Sequence, residues 1–204
     1  MKKLVLLIIV LILAFFVGYK LFFNKEKPVA ESADQSLAIS KNSNALNARF
    51  FTLLENYYAV KDALVEWDTA RANQAALKLG AYTDSLPFKE IKADSSIIAT
   101  AENFAGSISN ETKGLILETG IEQKRRSFNM LTDEVYNLIR TVRYDGAVVY
   151  HVRCPMAFND SEEAYWLSAS SQIQNPYLGK KHPKYNEKMV GCGEIVDSVD
   201  FVKK

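Results

Sequence analysis

Between Ile121 and Val142 the apolar residues Ile121, Phe128, Leu131, Val135, Leu138 and Val142 return at a near-heptad spacing. A helix, at about 3.6 residues per turn, gathers such residues onto one stripe. A stripe of that length must be buried against other elements, so the segment demands partners. They lie upstream. From about Asn44 to Glu66, Leu46, Phe50, Leu53, Leu54, Tyr57 and Leu64 recur at three- and four-residue intervals. Asp68-Thr69 reads as the cap of a second helix carrying Ala72, Ala75, Ala76, Leu77 and Leu79, whose small residues allow close helix approach. Ser85-Leu-Pro87 ends it. A third helix is expected from about Ser95, with Ile97, Ile98, Ala101, Phe104, Ala105 and Ile108 on one face. Asn110 and Gly114 weaken its pattern, and Leu115-Ile-Leu117 is its continuation or a new turn. The fold class this predicts is mainly α, an antiparallel four-helix bundle over residues 44–144. Its Phe and Tyr residues are assigned to the core. The charges of the fourth segment (Glu122, Lys124, Arg125, Asp133, Glu134, Arg140) are assigned to a solvated face.

A small β/loop region, residues 147–202, follows the turn signal Asp145-Gly146. Ala147 to Arg153 is β-branched and aromatic, a strand that delivers Cys154 at its end. Ile195 to Val202 alternates with period two and suits pairing with it, which would bring Cys154 and Cys192 near each other. Glu162-Glu163 reads as a solvated turn. Both cysteines of the chain lie in this region, each with a methionine close by. Cys154-Pro-Met156 can hold thiol and thioether on one side of an extended backbone. Met189-x-x-Cys192 can do the same on a tight loop with Gly191 and Gly193. Two thiolates and two thioethers make a soft donor set, suited to Cu(I) or Ag(I) rather than to Mg or Ca. The alternative is a structural or interaction domain with no metal, stabilised by a Cys154–Cys192 disulfide and docking a partner on its bundle surface, or buried cysteines with methionine as core filler. His151 and His182 are lesser ligand candidates: on a strand His151 faces away from Cys154, and His182 sits in a Lys-rich loop. Trp166 reads first as a core residue.

The N-terminus supplies an address. Leu4 to Tyr19 carries no charge, and the apolar run reaches Phe23 with Lys20 as its one interruption. At roughly 1.5 Å per residue it makes a helix of about 30 Å, enough to cross a bilayer. The small-residue site Ala30-Glu-Ser32 lies well beyond the run, which favours an uncleaved signal-anchor over residues 1–23. Lys2 and Lys3 then stay cytoplasmic. The expected location is the inner membrane, single-pass through residues 4–23, with one periplasmic domain over residues 44–202 behind a polar linker at residues 24–43.

The C-terminal motifs carry a resemblance. Cys154-Pro-Met-Ala157, Ala164-Tyr-Trp-Leu-Ser168, Ile173-Gln-Asn-Pro-Tyr177, Gly179 and Met189-x-x-Cys192-Gly-Glu resemble an extracytoplasmic domain family of unknown function. Its pattern is Cys-Pro-Met-Ala, Gly-Ala-x-Trp-Leu-Ser, Asn-Pro-Tyr-x-Gly and Met-x-x-Cys-Gly. The similarity extends over roughly residues 44–200. That domain occurs alone behind a signal or anchor and fused to CusB-like adaptors of heavy-metal efflux systems. The resemblance therefore implies copper or silver handling, with an efflux adaptor or pump as partner. Glu163 departs from the pattern's glycine, and Lys180 to Lys188 forms a longer spacer before Met189.

Other functions find no support. Lys and Arg total 25 against 24 Asp and Glu, for a net charge of +1, so no nucleic-acid partner is implied. There is no Cys-x-x-Cys, Gly-x-Ser-x-Gly, His-Glu-x-x-His, P-loop or Gly-x-Gly-x-x-Gly. The chain reads as a non-enzyme.

Overall fold

The computed structural model describes residues 42–202. The expected anchor (residues 4–23) and nearly all of the linker (residues 24–43) lie outside the described residues. Among the described residues no helix is long and apolar enough to cross a membrane. Four helices come first: α1 (Asn44–Val65), α2 (Thr69–Thr83), α3 (Ser95–Leu117) and α4 (Ile121–Thr141). Ser43 caps α1, its Oγ accepting the Leu46 N–H at 3.1 Å. Asp68 caps α2 as the sequence predicts, with Oδ1 accepting the Arg71 N–H at 2.9 Å. Helix α3 runs unbroken through Asn110 and Gly114. Consecutive helices pack in pairs, while α1 and α4 meet only sparsely.

The stripes read from sequence are buried. Leu53, Tyr57 and Leu64 of α1, Ala72, Ala76 and Leu79 of α2, and Phe128, Leu131, Val135 and Leu138 of α4 are all fully enclosed. Two expected face residues are not. Leu77 is 65% exposed, because it turns away from the stripe that Ala72, Ala76 and Leu79 define. Ile97 is 37% exposed, on the first turn of α3 and beyond the end of its buried stripe.

The larger correction concerns charge. Lys124 and Arg125, assigned above to a solvated face, are 1% and 3% exposed. They stand four and three residues before Phe128, so helical geometry places them on its buried side. Lys124 Nζ donates to the Leu115 carbonyl at 2.8 Å and to Asn73 Oδ1 at 2.7 Å. It thereby satisfies an orphan carbonyl at the C-terminal end of α3 and ties that end to α2. Glu122, Asp133 and Arg140 are exposed as expected.

The C-terminal region is a three-stranded antiparallel sheet of β1 (Val149–Phe158), β2 (Glu162–Ser168) and β3 (Glu194–Val199), in the order β2-β1-β3. The β1–β3 pairing expected from sequence is present, with Val149 opposite Val199 and Arg153 opposite Glu194. Strand β2 is an addition. The turn before it is made by Asn159 and Asp160, both with positive φ (51° and 57°), and not by Glu162-Glu163, which open the strand. Ser161 N–H closes the turn on the Phe158 carbonyl at 3.1 Å.

Helix side chains seal the outer edge of β2. Asn129 Oδ1 accepts the Tyr165 N–H at 2.8 Å, and Tyr57 Oη accepts the Leu167 N–H at 3.0 Å. The Tyr177 hydroxyl donates to the Tyr165 carbonyl. Tyr57 Oη lies 2.6 Å from Thr132 Oγ1, which donates to the Phe128 carbonyl at 2.9 Å. An edge that would otherwise present unpaired amides is thus joined to α1 and α4. One hydrophobic core runs from the helices through Val152, Ala164, Trp166 and Leu167 of the sheet.

Candidate functional site

Cys154 lies on β1 opposite Ala164 and is fully buried. Cys192 is half-buried just ahead of β3, its N–H bonded to the Met189 carbonyl at 3.0 Å. The Cys192 thiol lies near enough to act on the Cys154 thiol, and both are free. The Asn175 side chain and the Met156 backbone also act on the Cys154 thiol. Burial pushes the Cys154 thiol up from its ordinary value, and the Cys192 thiol adds to this. The Asn175 and Met156 donors pull the other way.

Asn175 holds this arrangement together. It is fully buried, and its N–H donates to the Val190 carbonyl at 2.8 Å. Its Nδ2 donates to the Cys192 carbonyl at 2.7 Å, while Oδ1 accepts the N–H groups of Tyr177 at 2.8 Å and Leu178 at 3.0 Å. One side chain therefore fixes the Met189–Cys192 loop against the Asn175–Gly179 turn and beside the Cys154 sulfur. Gly193 completes the fit. At φ 149° it takes a conformation foreign to other residues, and a Cβ there would stand 2.6 Å from Trp166 Cη2. Trp166 is fully buried beneath it, with its Nε1 lacking a hydrogen-bond partner among the described residues.

The methionines lie on different elements. Met156 follows Cys154 along β1, and Met189 sits at the end of a short 3-10 turn, Asn186–Met189. Both are half-buried against the same core as Cys192. The histidines are elsewhere. His151 stacks between Tyr136 (4.2 Å) and Tyr165 (5.0 Å), its Nε2 buried without a partner among the described residues. Burial holds it below the ordinary imidazole value, Asp197 opposing and Arg140 reinforcing that shift. His182 lies edge-on to Trp67 at 6.2 Å and stacks on Tyr185 at 4.9 Å, in a cleft lined by neither cysteine nor methionine. Among the described residues there is no group of three or more His, Cys, Asp or Glu side chains that could hold a metal ion.

Two neighbouring thiols can do two things. They can give up two protons and, to an external oxidant, two electrons and join as a disulfide, or each can lose a proton and share a soft cation. The positions of Cys154 and Cys192 were legible through the β1–β3 pairing. Asn175 was visible only as part of a motif, because its partners are backbone groups distant in sequence. Arg125, described below, could have been found from its place three residues before Phe128.

Residues 53–145 match the family described as a protein of unknown function (DUF3347). The match takes in most of α1 and all of α2, α3 and α4, and ends before β1, so it includes none of Cys154, Met156, Met189 and Cys192. No curated protein and no solved structure matches the chain.

Proposed function

We propose that residues 44–202 form a periplasmic module, tethered to the inner membrane by residues 4–23, that binds Cu(I) or Ag(I) and passes it to a heavy-metal efflux partner. The observation that supports this most directly is the proximity of the Cys154 and Cys192 thiols, brought together from distant parts of the motif region. Both thiolates supply charge and most of the affinity, since the deprotonated sulfur is the ligand. Met156 and Met189 are the neighbouring soft donors and bias the site toward Cu(I) over Zn(II). The role is binding and transfer, with no catalysis.

Competition for Cu(I) against a chromogenic chelator, anaerobically and with reductant, tests this. Cys154→Ser or Cys192→Ser abolishes tight binding, and Met156→Leu weakens Cu(I) more than Zn(II). The pH dependence has a definite sign. The Cys154 thiol sits above its ordinary value, so at neutral pH it is protonated and the proton competes with the metal. Raising the pH removes that competitor, and affinity rises about tenfold per pH unit for each proton displaced. A structural disulfide is favoured by the same proximity. Reduced protein that fails to compete for Cu(I), with an oxidised Cys154–Cys192 bridge worth about 2–5 kcal/mol of stability, replaces the metal reading with that one.

A further inference from the structure

A second site lies away from the cysteines, in a cleft of about 310 Å³. Its apolar walls include Trp67, Ile121, Phe158 and Tyr177, and its polar lining is Arg125, His182, Glu122 and Asn159. Arg125 is unusual in that cleft because it is buried, at 3% exposure, with no ion-pair partner among the described residues. Its Nε donates to the Pro176 carbonyl at 2.7 Å, and one terminal nitrogen, Nη2, donates to the Leu64 carbonyl at 3.1 Å. The other, Nη1, has no hydrogen-bond partner among the described residues. The guanidinium stacks on Trp67 at 4.2 Å, and Trp67 is itself held at φ 62° with Nε1 bonded to the Leu178 carbonyl. Burial pulls Arg125 down to about 9, so it remains charged at neutral pH.

Its two carbonyl partners explain a structural clamp, because Leu64 lies at the C-terminal end of α1, where a cation is favoured. They leave one face of the fork unused. His182 contributes a second donor. Its Nδ1 accepts the Lys184 N–H at 3.2 Å, which places the ring proton on Nε2 in the neutral form. Glu122, which also lines the cleft, is engaged by Arg126 at 3.4 Å. A multiply charged anion would meet that carboxylate, while a single negative charge on an apolar body suits a cleft with one unpaired cation and aromatic walls.

We propose that this cleft binds a small organic monocarboxylate, its carboxylate on Arg125 Nη1 and His182 Nε2 and its apolar body against Ile121 and Phe158. The probe is benzoate, titrated calorimetrically into the full-length protein in detergent, with benzamide as the neutral isostere and inorganic phosphate as the anion without an apolar body. Benzoate binds at least about tenfold more tightly than benzamide, as loss of a charge-assisted hydrogen bond requires. Phosphate binds more weakly than benzoate. Arg125→Gln removes the fork but also the clamp on Leu64 and Pro176, so two milder variants carry the test. His182→Phe keeps the stacking on Tyr185 and removes the donor, weakening benzoate several-fold. Ile121→Trp fills the cleft and abolishes binding. Absence of benzoate binding to the wild type, equal binding of benzamide, phosphate binding as tightly as benzoate, or indifference to both variants overturns the proposal.

Discussion

The helical half and the sheet half of this domain are held by different kinds of interaction. In the helices, burial is spread over many equivalent apolar side chains, and each contributes in proportion to the surface it hides. In the sheet half, a few polar atoms carry the geometry: Asn175 fixes two loops, and Asn129, Tyr57 and Tyr177 close the edge of β2. Spread burial gives stability with many acceptable substitutions. A small hydrogen-bonded hub gives position, and few substitutions preserve it.

Three substitutions probe that contrast. Leu138→Ala, in the fully buried stripe of α4, is expected to cost about 2–5 kcal/mol in denaturant unfolding while leaving the relative alkylation rates of Cys154 and Cys192 unchanged. A loss below about 0.5 kcal/mol would place Leu138 at the surface. Asn175→Ala is expected to cost about 2–4 kcal/mol, because the Cys192 carbonyl and the Tyr177 and Leu178 amides lose their partner. It should also speed alkylation of Cys192 well beyond what the stability loss explains; unchanged thiol reactivity would remove Asn175 from the site. Glu162→Gln breaks an exposed pair with Arg126 and is expected to leave Tm within experimental scatter. A clear drop would mean that surface charge, and not the edge bonds, seats β2 on α4.

The same contrast governs what could be read from sequence. The helices were legible because burial imposes a period, and Asp68 marks a start that propensity recognises. Lys124 and Arg125 were misassigned because charge was weighed above position, although their spacing from Phe128 already put them inside. Strand β2 escaped because its glutamates masked the short buried run Ala164 to Ser168. The cysteine pairing was legible from two complementary strands. The hub was not, since nothing in the identity of an asparagine tells which distant carbonyl it will meet.

The bonds at Tyr57 have a consequence for hydrogen atoms. The Leu167 amide can only give a proton to Tyr57 Oη, and Thr132 spends its own proton on the Phe128 carbonyl. The Tyr57 hydroxyl must therefore turn its proton toward Thr132 Oγ1. A buried hydroxyl usually keeps a choice of rotors; along this row none remains, and every proton points from β2 toward the backbone of α4. Such a row has a single orientation. Both hydroxyls are fully buried, so their protons exchange with water only when this part of the core opens.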